Sequence, residues 1–397
     1  MIRVFVVFIL IFSQMIYAKI PERFSSSKYC VGCHAQQGKD WKSTWHSRSN
    51  IKTNPLYKKT LEYISSMTYK SVDDLNVNCG QCHSPKMGVK KLDYSYAISQ
   101  AFGIKTKETE KIHKEIDNET ANDGISCIIC HNIADIKKTH HLDERGFEAV
   151  TFGPSDVMSG PFKESHRTTY HKMAQKSFFR EDVNTLCKVC HAGYKEKGVY
   201  FYTTGLEYDS VKSDQKCVDC HMSQHEKSII APIVTGKVKA IERETRRHLF
   251  KGARNSDILK SALKLQSSKN NGTLVLDLEN ITPHKLPTGF TGREIVIEVS
   301  FFQKSKYINT LTKRISTLYV DKHGDETLAY IAAKMDSDTR LSPYEKRTYK
   351  LKIPAGTTQA EVAIWYRLVK KSLVPLLNIK DPIFLKKYPI LNINIAL

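Results

Sequence analysis

All ten cysteines of this 397-residue chain fall in five copies of Cys-x-x-Cys-His. The copies are Cys30, Cys33 and His34; Cys79, Cys82 and His83; Cys127, Cys130 and His131; Cys187, Cys190 and His191; and Cys217, Cys220 and His221. Two intervening residues let both sulfurs reach neighbouring vinyl positions on one porphyrin edge. The adjacent histidine then turns under the iron as its proximal ligand, which is the attachment chemistry of c-type haem. Five motifs imply five covalent haems. A structural zinc site wants four ligands from two closed pairs, and the histidine fused to each pair leaves that count incomplete. Disulfides within pairs would join cysteines three positions apart, and a thioredoxin-like motif would be expected once.

The second axial ligand decides what each iron can do. Two histidines close a haem to substrate and leave it an electron carrier, whereas an open face can bind a small molecule. Ten histidines remain beyond the motifs, enough to close every iron. His46, in a Trp41 to His46 stretch with apolar rings to shield an imidazole, is the first expected distal ligand. His248 lies in an Arg246-Arg247-His248 run whose arginines are placed to meet haem propionates. His284 occupies a constrained turn between two expected strands, and would clamp the following domain to the haem unit. Of His166 and His171 one is expected to ligate, with His166 preferred, and His113 completes the expected set. His140 and His141 offer a ligand or a proton relay. His225 and His323 are read as pointing away or solvent exposed. Met158 and Met173 are weighed as alternative ligands, but methionine more often packs. Mostly bis-histidine, low-potential haems are expected.

The elements that must position these ligands differ along the chain. The motifs start at 30, 79, 127, 187 and 217, so haems are dense and should themselves supply most of the core. Residues 19–258 are therefore expected to form a mainly α and irregular haem domain, with helices at residues 60–67 and 173–179 and few strands. Residues 259–397 instead alternate with period two, at 263–266, 272–278, 294–299, 315–320, 347–353 and 360–366. That pattern predicts an all-β, sandwich-like C-terminal domain, opening on a hairpin around the turn at 269–272.

The amino terminus has Arg3, then a wholly apolar run from Val4 to Phe12 and a cleavage point after Ala18. Residues 1–18 read as a secretory signal peptide, the run being too short for a bilayer core of about 30 Å. Export places the chain in a bacterial periplasm, where such haem attachment belongs, and an uncleaved anchor is the alternative. The formal charge of +20 carries no nucleic-acid motif with it. Haem propionates offset part of it, and the rest suits acidic redox partners.

Several of these residues resemble the multihaem cytochrome family that includes the electron-carrier partner of hydroxylamine oxidoreductase. The similarity runs through Trp41 and His46, Asp123-Gly124-Ile125-Ser126, Ser159-Gly160-Pro161 ahead of His166, and Cys220-His221-Met222. Arg247-His248-x-Phe250-x-Gly252 and His284-x-x-Pro287-Thr288-Gly289 look like a subgroup with a β-rich C-terminal domain. The resemblance implies a periplasmic electron carrier with closely stacked haems and supports His46, His166, His248 and His284 as distal ligands.

Two functions follow. The first is an electron-transfer protein of anaerobic respiration, linking a quinol-linked dehydrogenase, other cytochromes or a terminal reductase, and meeting the membrane only through such partners. The second is an oxidoreductase in which one open haem acts on nitrite, hydroxylamine, nitric oxide or sulfite. No motif histidine is replaced by lysine, which argues against the pentahaem nitrite reductases, so enzyme status stays open at the level of sequence.

Overall fold

The computed structural model describes residues 26–137, 145–154, 156–163, 170–196, 199–232 and 241–397. The expected signal peptide, His140, His141 and His166 lie outside the described residues. Two antiparallel sheets dominate from Leu263 onward. The smaller has strand order Lys346–Lys352, Thr273–Asn280, Leu263–Asn270; the larger runs Lys334–Asp338, Lys306–Val320, Glu294–Gln303, Gln359–Arg367, Tyr388–Ala396. Their facing sides interleave: Leu274, Leu276 and Leu278 from the first meet Ile295, Ile297, Val299 and Phe301 from the second in one buried cluster. The alternation of buried and partly exposed positions along Thr273–Asn280 is the period of two that the sequence displays. The first hairpin turns through Asn271 (φ 42°) and Gly272 (φ 73°), two left-handed residues that match the right-handed twist of the strands. The closing strand Tyr388–Ala396 was not among the sequence expectations; its run of residues includes Pro389, which punctuates the apolar alternation.

Before Leu263 the chain forms short helices joined by long connections. Helix Pro55–Ser66 starts earlier than the sequence suggests, because Asn54 caps it through the Tyr57 amide and Pro55 suits the first turn. The helix expected at residues 173–179 is instead the strand Lys172–Gln175 followed by a short turn Ser177–Phe179. Lys172–Gln175 pairs in parallel with Val157–Gly160, and that tertiary pairing overrides local helix propensity. Three antiparallel ribbons join this pair, Ile133–Ile136 with Val150–Phe152, Tyr194–Glu196 with Val199–Tyr202, and His225–Ile229 with Glu242–Arg246. Strands are thus commoner here than expected, since short ribbons need main-chain pairing more than a hydrophobic pattern.

The two regions share one core. Tyr57, Leu61, Ile64 and Leu75, from the helices Pro55–Ser66 and Val72–His83, belong to the same buried cluster as the sheet residues. Tyr63 also meets Thr327 at 3.1 Å. Among the described residues no helix is long and apolar enough to cross a membrane.

Candidate functional site

Each Cys-x-x-Cys-His motif occupies about one helical turn. His83, His131, His191 and His221 are the last residues of helices, and His34 caps the helix Ala35–Lys42. On a helix, positions i, i+3 and i+4 share a face, so both sulfurs and the imidazole of a motif point the same way. That way is inward. The motif cysteines and histidines line one continuous cavity of about 2170 Å³, together with His46, His171, His248 and His284. A space of this size, walled by five sets of two cysteines and a histidine, suits several large bound groups. Ten cysteines free of disulfide bonds stand at its wall. Among the described residues no cluster of three or more His, Cys, Asp or Glu could hold a metal unaided.

Four non-motif histidines face four motif histidines across the cavity. Ring centroids lie 6.3 Å apart for His34 and His171, 6.4 Å for His191 and His46, 6.2 Å for His131 and His248, and 6.3 Å for His221 and His284. A metal–imidazole bond of about 2.0–2.1 Å plus roughly 1.1 Å from nitrogen to ring centre places two trans imidazoles about 6.2–6.4 Å apart. The four distances therefore suit an iron between each pair. Ring orientation agrees, because a ligating histidine commonly donates its other nitrogen to a carbonyl. His34 donates from Nδ1 to the Ile230 carbonyl at 3.2 Å, His83 to Ser49 at 3.0 Å, His131 to Ser159 at 2.8 Å and His221 to Lys251 at 2.5 Å. His248 donates likewise to Arg246 at 3.2 Å and His284 to Lys285 at 2.9 Å. Nε2 is thereby left for a metal. Burial favours the neutral, ligating imidazole: it pushes His46 down to about 3, and His131 and His191 down to about 4, with neighbouring histidines adding to the effect.

The remaining motif differs. His83 stacks on Tyr57 at 4.1 Å with planes 2° apart, and among the described residues no second histidine ring faces it. His113 stands elsewhere. Its exposed ring meets Gln100 at 3.0 Å and Tyr96 at 3.3 Å, with the Asp73 carboxylate 3.7 Å away. No contact joins it to a motif histidine. Of the pair weighed at 166 and 171, His171 lies opposite His34, while His166 is outside the described residues. His225 pairs with Glu244 at 3.2 Å, and His323 sits exposed in its turn. Met158 is buried beside Met173 in the paired strands, and both line the cavity wall.

The arginines ahead of His248 turn to protein carboxylates instead of the cavity's centre. Arg247 forks onto Asp40 at 2.6 and 2.7 Å, and Arg246 reaches Asp219 at 3.0 Å. Arg145, Arg180, Arg243, Arg254 and Arg293 are other cations on the cavity wall, where haem propionates would need partners.

Sulfur contacts show how the motifs neighbour one another. Thiols here stand for the thioether sulfurs of a haem-loaded chain. Cys30 lies beside Cys127, Cys82 beside Cys190, and Cys187 beside Cys217. Cys130 is close enough to Cys187 and Cys190 to perturb both. The sites of His34, His131, His191 and His221 thus form a row, and the site of His83 joins it at His191.

Residues that spacing does not reveal hold this arrangement. Phe250 lies 4.3 Å from the His46 ring and 6.0 Å from that of His248, at a φ of 41°. A phenylalanine at such a φ stores about 1–3 kcal/mol of strain. Gly124, at φ 64°, lets the chain cross the His46 backbone: a Cβ there would meet the His46 carbonyl oxygen at 2.5 Å. Ile125 donates to that same carbonyl at 2.9 Å, and Trp41 donates to the Ile125 carbonyl at 2.7 Å. Gly124→Ala is expected to displace His46, lowering thermal stability by about 1–3 kcal/mol. Oxidised spectra should then show one haem with a weakened distal bond, and spectra identical to wild type would refute this role.

Residues 29–132 match the family model described as cytochrome c554 and c-prime. The fold is similar to that of a penta-heme cytochrome c552 from Thermochromatium tepidum, with a TM-score of 0.70 and 18% identity. That likeness covers 94% of this chain and 98% of the other. No curated protein sequence matches the chain.

Proposed function

From the premise that the chain is a multihaem cytochrome c, we propose that it holds five covalent haems and carries electrons along four that are closed by histidine pairs. The pairs are His34 with His171, His191 with His46, His131 with His248, and His221 with His284. The observation that carries this reading is the repeated 6.2–6.4 Å separation of the imidazole rings. Haem supplies the one-electron chemistry. The chain's own residues fix each ring, exclude water and hold neighbouring sites in contact, so that electrons can pass along the row. The sheet-bearing segment closes the His221 site by lending His284, which makes it part of the redox unit. We infer a periplasmic setting after removal of residues 1–18, and acidic redox partners such as a quinol-linked dehydrogenase, another cytochrome or a terminal reductase. The net charge of +20 supports electrostatic steering toward such partners.

His83 favours a second reading. With no histidine opposite it among the described residues, its haem would offer an open face for a small nitrogen or sulfur compound. Low-temperature EPR and optical spectra of the oxidised protein, quantified per haem, test both readings. Four low-spin haems and one high-spin haem that shifts with nitrite, hydroxylamine, nitric oxide or sulfite are expected. Five low-spin haems indifferent to every ligand would leave a closed wire and refute the open site. Two or more high-spin haems would refute the four pairs.

A further inference from the structure

Two buried carboxylates recur in the same arrangement beside two different distal histidines. Asp40, with its side chain 3% exposed, stands on the helix that begins directly after His34. It accepts both prongs of Arg247, the Gln36 amide at 2.9 Å and the backbone N–H of His248 at 3.1 Å. Glu207, 4% exposed, stands on the helix Thr204–Asp209. It accepts Arg340 at 2.7 Å, the Thr288 hydroxyl at 2.6 Å, the Thr203 hydroxyl and the backbone N–H of Lys285 at 3.1 Å. Arg340 is locked in turn by a fork onto Asp338 at 2.8 and 2.9 Å, and Lys285 also reaches Asp338 at 2.9 Å.

Each carboxylate bridges two neighbouring sites. The Asp40 helix starts at His34, yet its carboxylate grips the backbone of His248, which faces His131. The Glu207 helix is pinned to His191: Leu206 donates to the Ala192 carbonyl at 2.9 Å, and a Cβ on Gly205 would lie 2.8 Å from the His191 oxygen. Its carboxylate grips the amide next to His284, which faces His221. The sulfur contacts independently place these same sites side by side, Cys30 against Cys127 and Cys187 against Cys217.

Buried ion pairs give little net stability, since well-packed apolar side chains often do as well. What an apolar replacement could not do is accept a backbone N–H at a fixed point beside the metal ligand. We propose that Asp40 and Glu207 are positioning residues, each anchored beside one haem's proximal histidine and holding in register the distal histidine of the next. They set the imidazole geometry of the His248 and His284 haems, and their negative charge favours the ferric state of those haems. This rests on the histidine pairing proposed above.

The test uses the full haem-loaded protein and resolves the haems by EPR g-values and redox titration. His248→Ala and His284→Ala first identify each signal, each turning one haem in five high-spin. The isosteric Asp40→Asn and Glu207→Gln are then expected to alter the g-values of only the haem whose ligand they hold, and to raise its potential. Glu207→Ala is expected to add a high-spin fraction at the His284 haem that free imidazole abolishes. If His284→Ala adds no high-spin haem to the wild-type count, the pairing reading fails and the clamp falls with it. If the alanine variants behave as stated but the amide variants change only the melting temperature, the pairing stands and the positioning role is overturned.

Discussion

Replacing His46 by glycine is expected to convert one haem in five from low spin to high spin and to make that haem bind added imidazole. His46 is the ring opposite His191, at 6.4 Å, and the space it fills is enclosed by Phe250 and the chain at Gly124. A small molecule of the same shape can therefore occupy it. The consequence extends beyond one site, because the His191 site touches those of His83, His131 and His221 through their cysteines. Its potential should rise above that of its neighbours when a neutral imidazole ligand is lost. Stopped-flow reduction should then show the carriers filling in two separated phases instead of one. An unchanged low-spin count in the glycine variant would exclude His46 as a ligand.

The second large effect concerns folding. Cys187→Ala together with Cys190→Ala removes covalent attachment at the central site. The wall of that site is largely apolar side chain, which loses its packing partner when the bound group is lost, and a domain is stable by only about 5–15 kcal/mol. The variant is expected to be degraded or to accumulate only as protease-sensitive chain, whereas Leu276→Ala in the sheet core should cost about 2–5 kcal/mol and still fold. Limited proteolysis and thermal melts would check the contrast. A double cysteine variant melting within a few degrees of wild type would show that the haem is not the core of this region.

Acid should loosen the junction beneath His284. Burial alone would raise the Asp338 carboxyl, but Arg340 and Lys285 outweigh it and hold it at about 2. A carboxylate depressed below its unfolded value of about 3.9 stabilises fully above that pH, and the contribution, on the order of 2 kcal/mol, is lost as pH falls toward the folded value. The melting temperature should thus drop between pH ~4 and ~2, and Asp338→Asn should flatten that part of the profile. A profile of Asp338→Asn that superposes on wild type would refute the assignment.

The motif chemistry was legible in the sequence because it is local: two sulfurs and an imidazole on one helical turn need only five consecutive residues. The sandwich strands were legible for the same reason, since alternation at 273–280 or 294–303 is written residue by residue. The facing of rings is a different matter. His46, His248 and His284 were expected as distal ligands for their neighbours, but which motif histidine each faces depends on how helices, ribbons and the turn before Glu294 pack. His171 ranked behind His166, and His113 was counted as a ligand though its ring meets Tyr96 and Gln100 on an exposed helix. Asp40, Glu207 and Tyr57 carried no sequence signal at all, because a buried carboxylate and a surface one are spelled alike. The sequence by itself determined where covalent haem attachment is written, through chemistry confined to short motifs. Only the tertiary structure decided which rings meet across the cavity and, among the described residues, which motif histidine is left without one, because those meetings join residues up to 145 positions apart, as between His46 and His191, and the sequence between them records no distance.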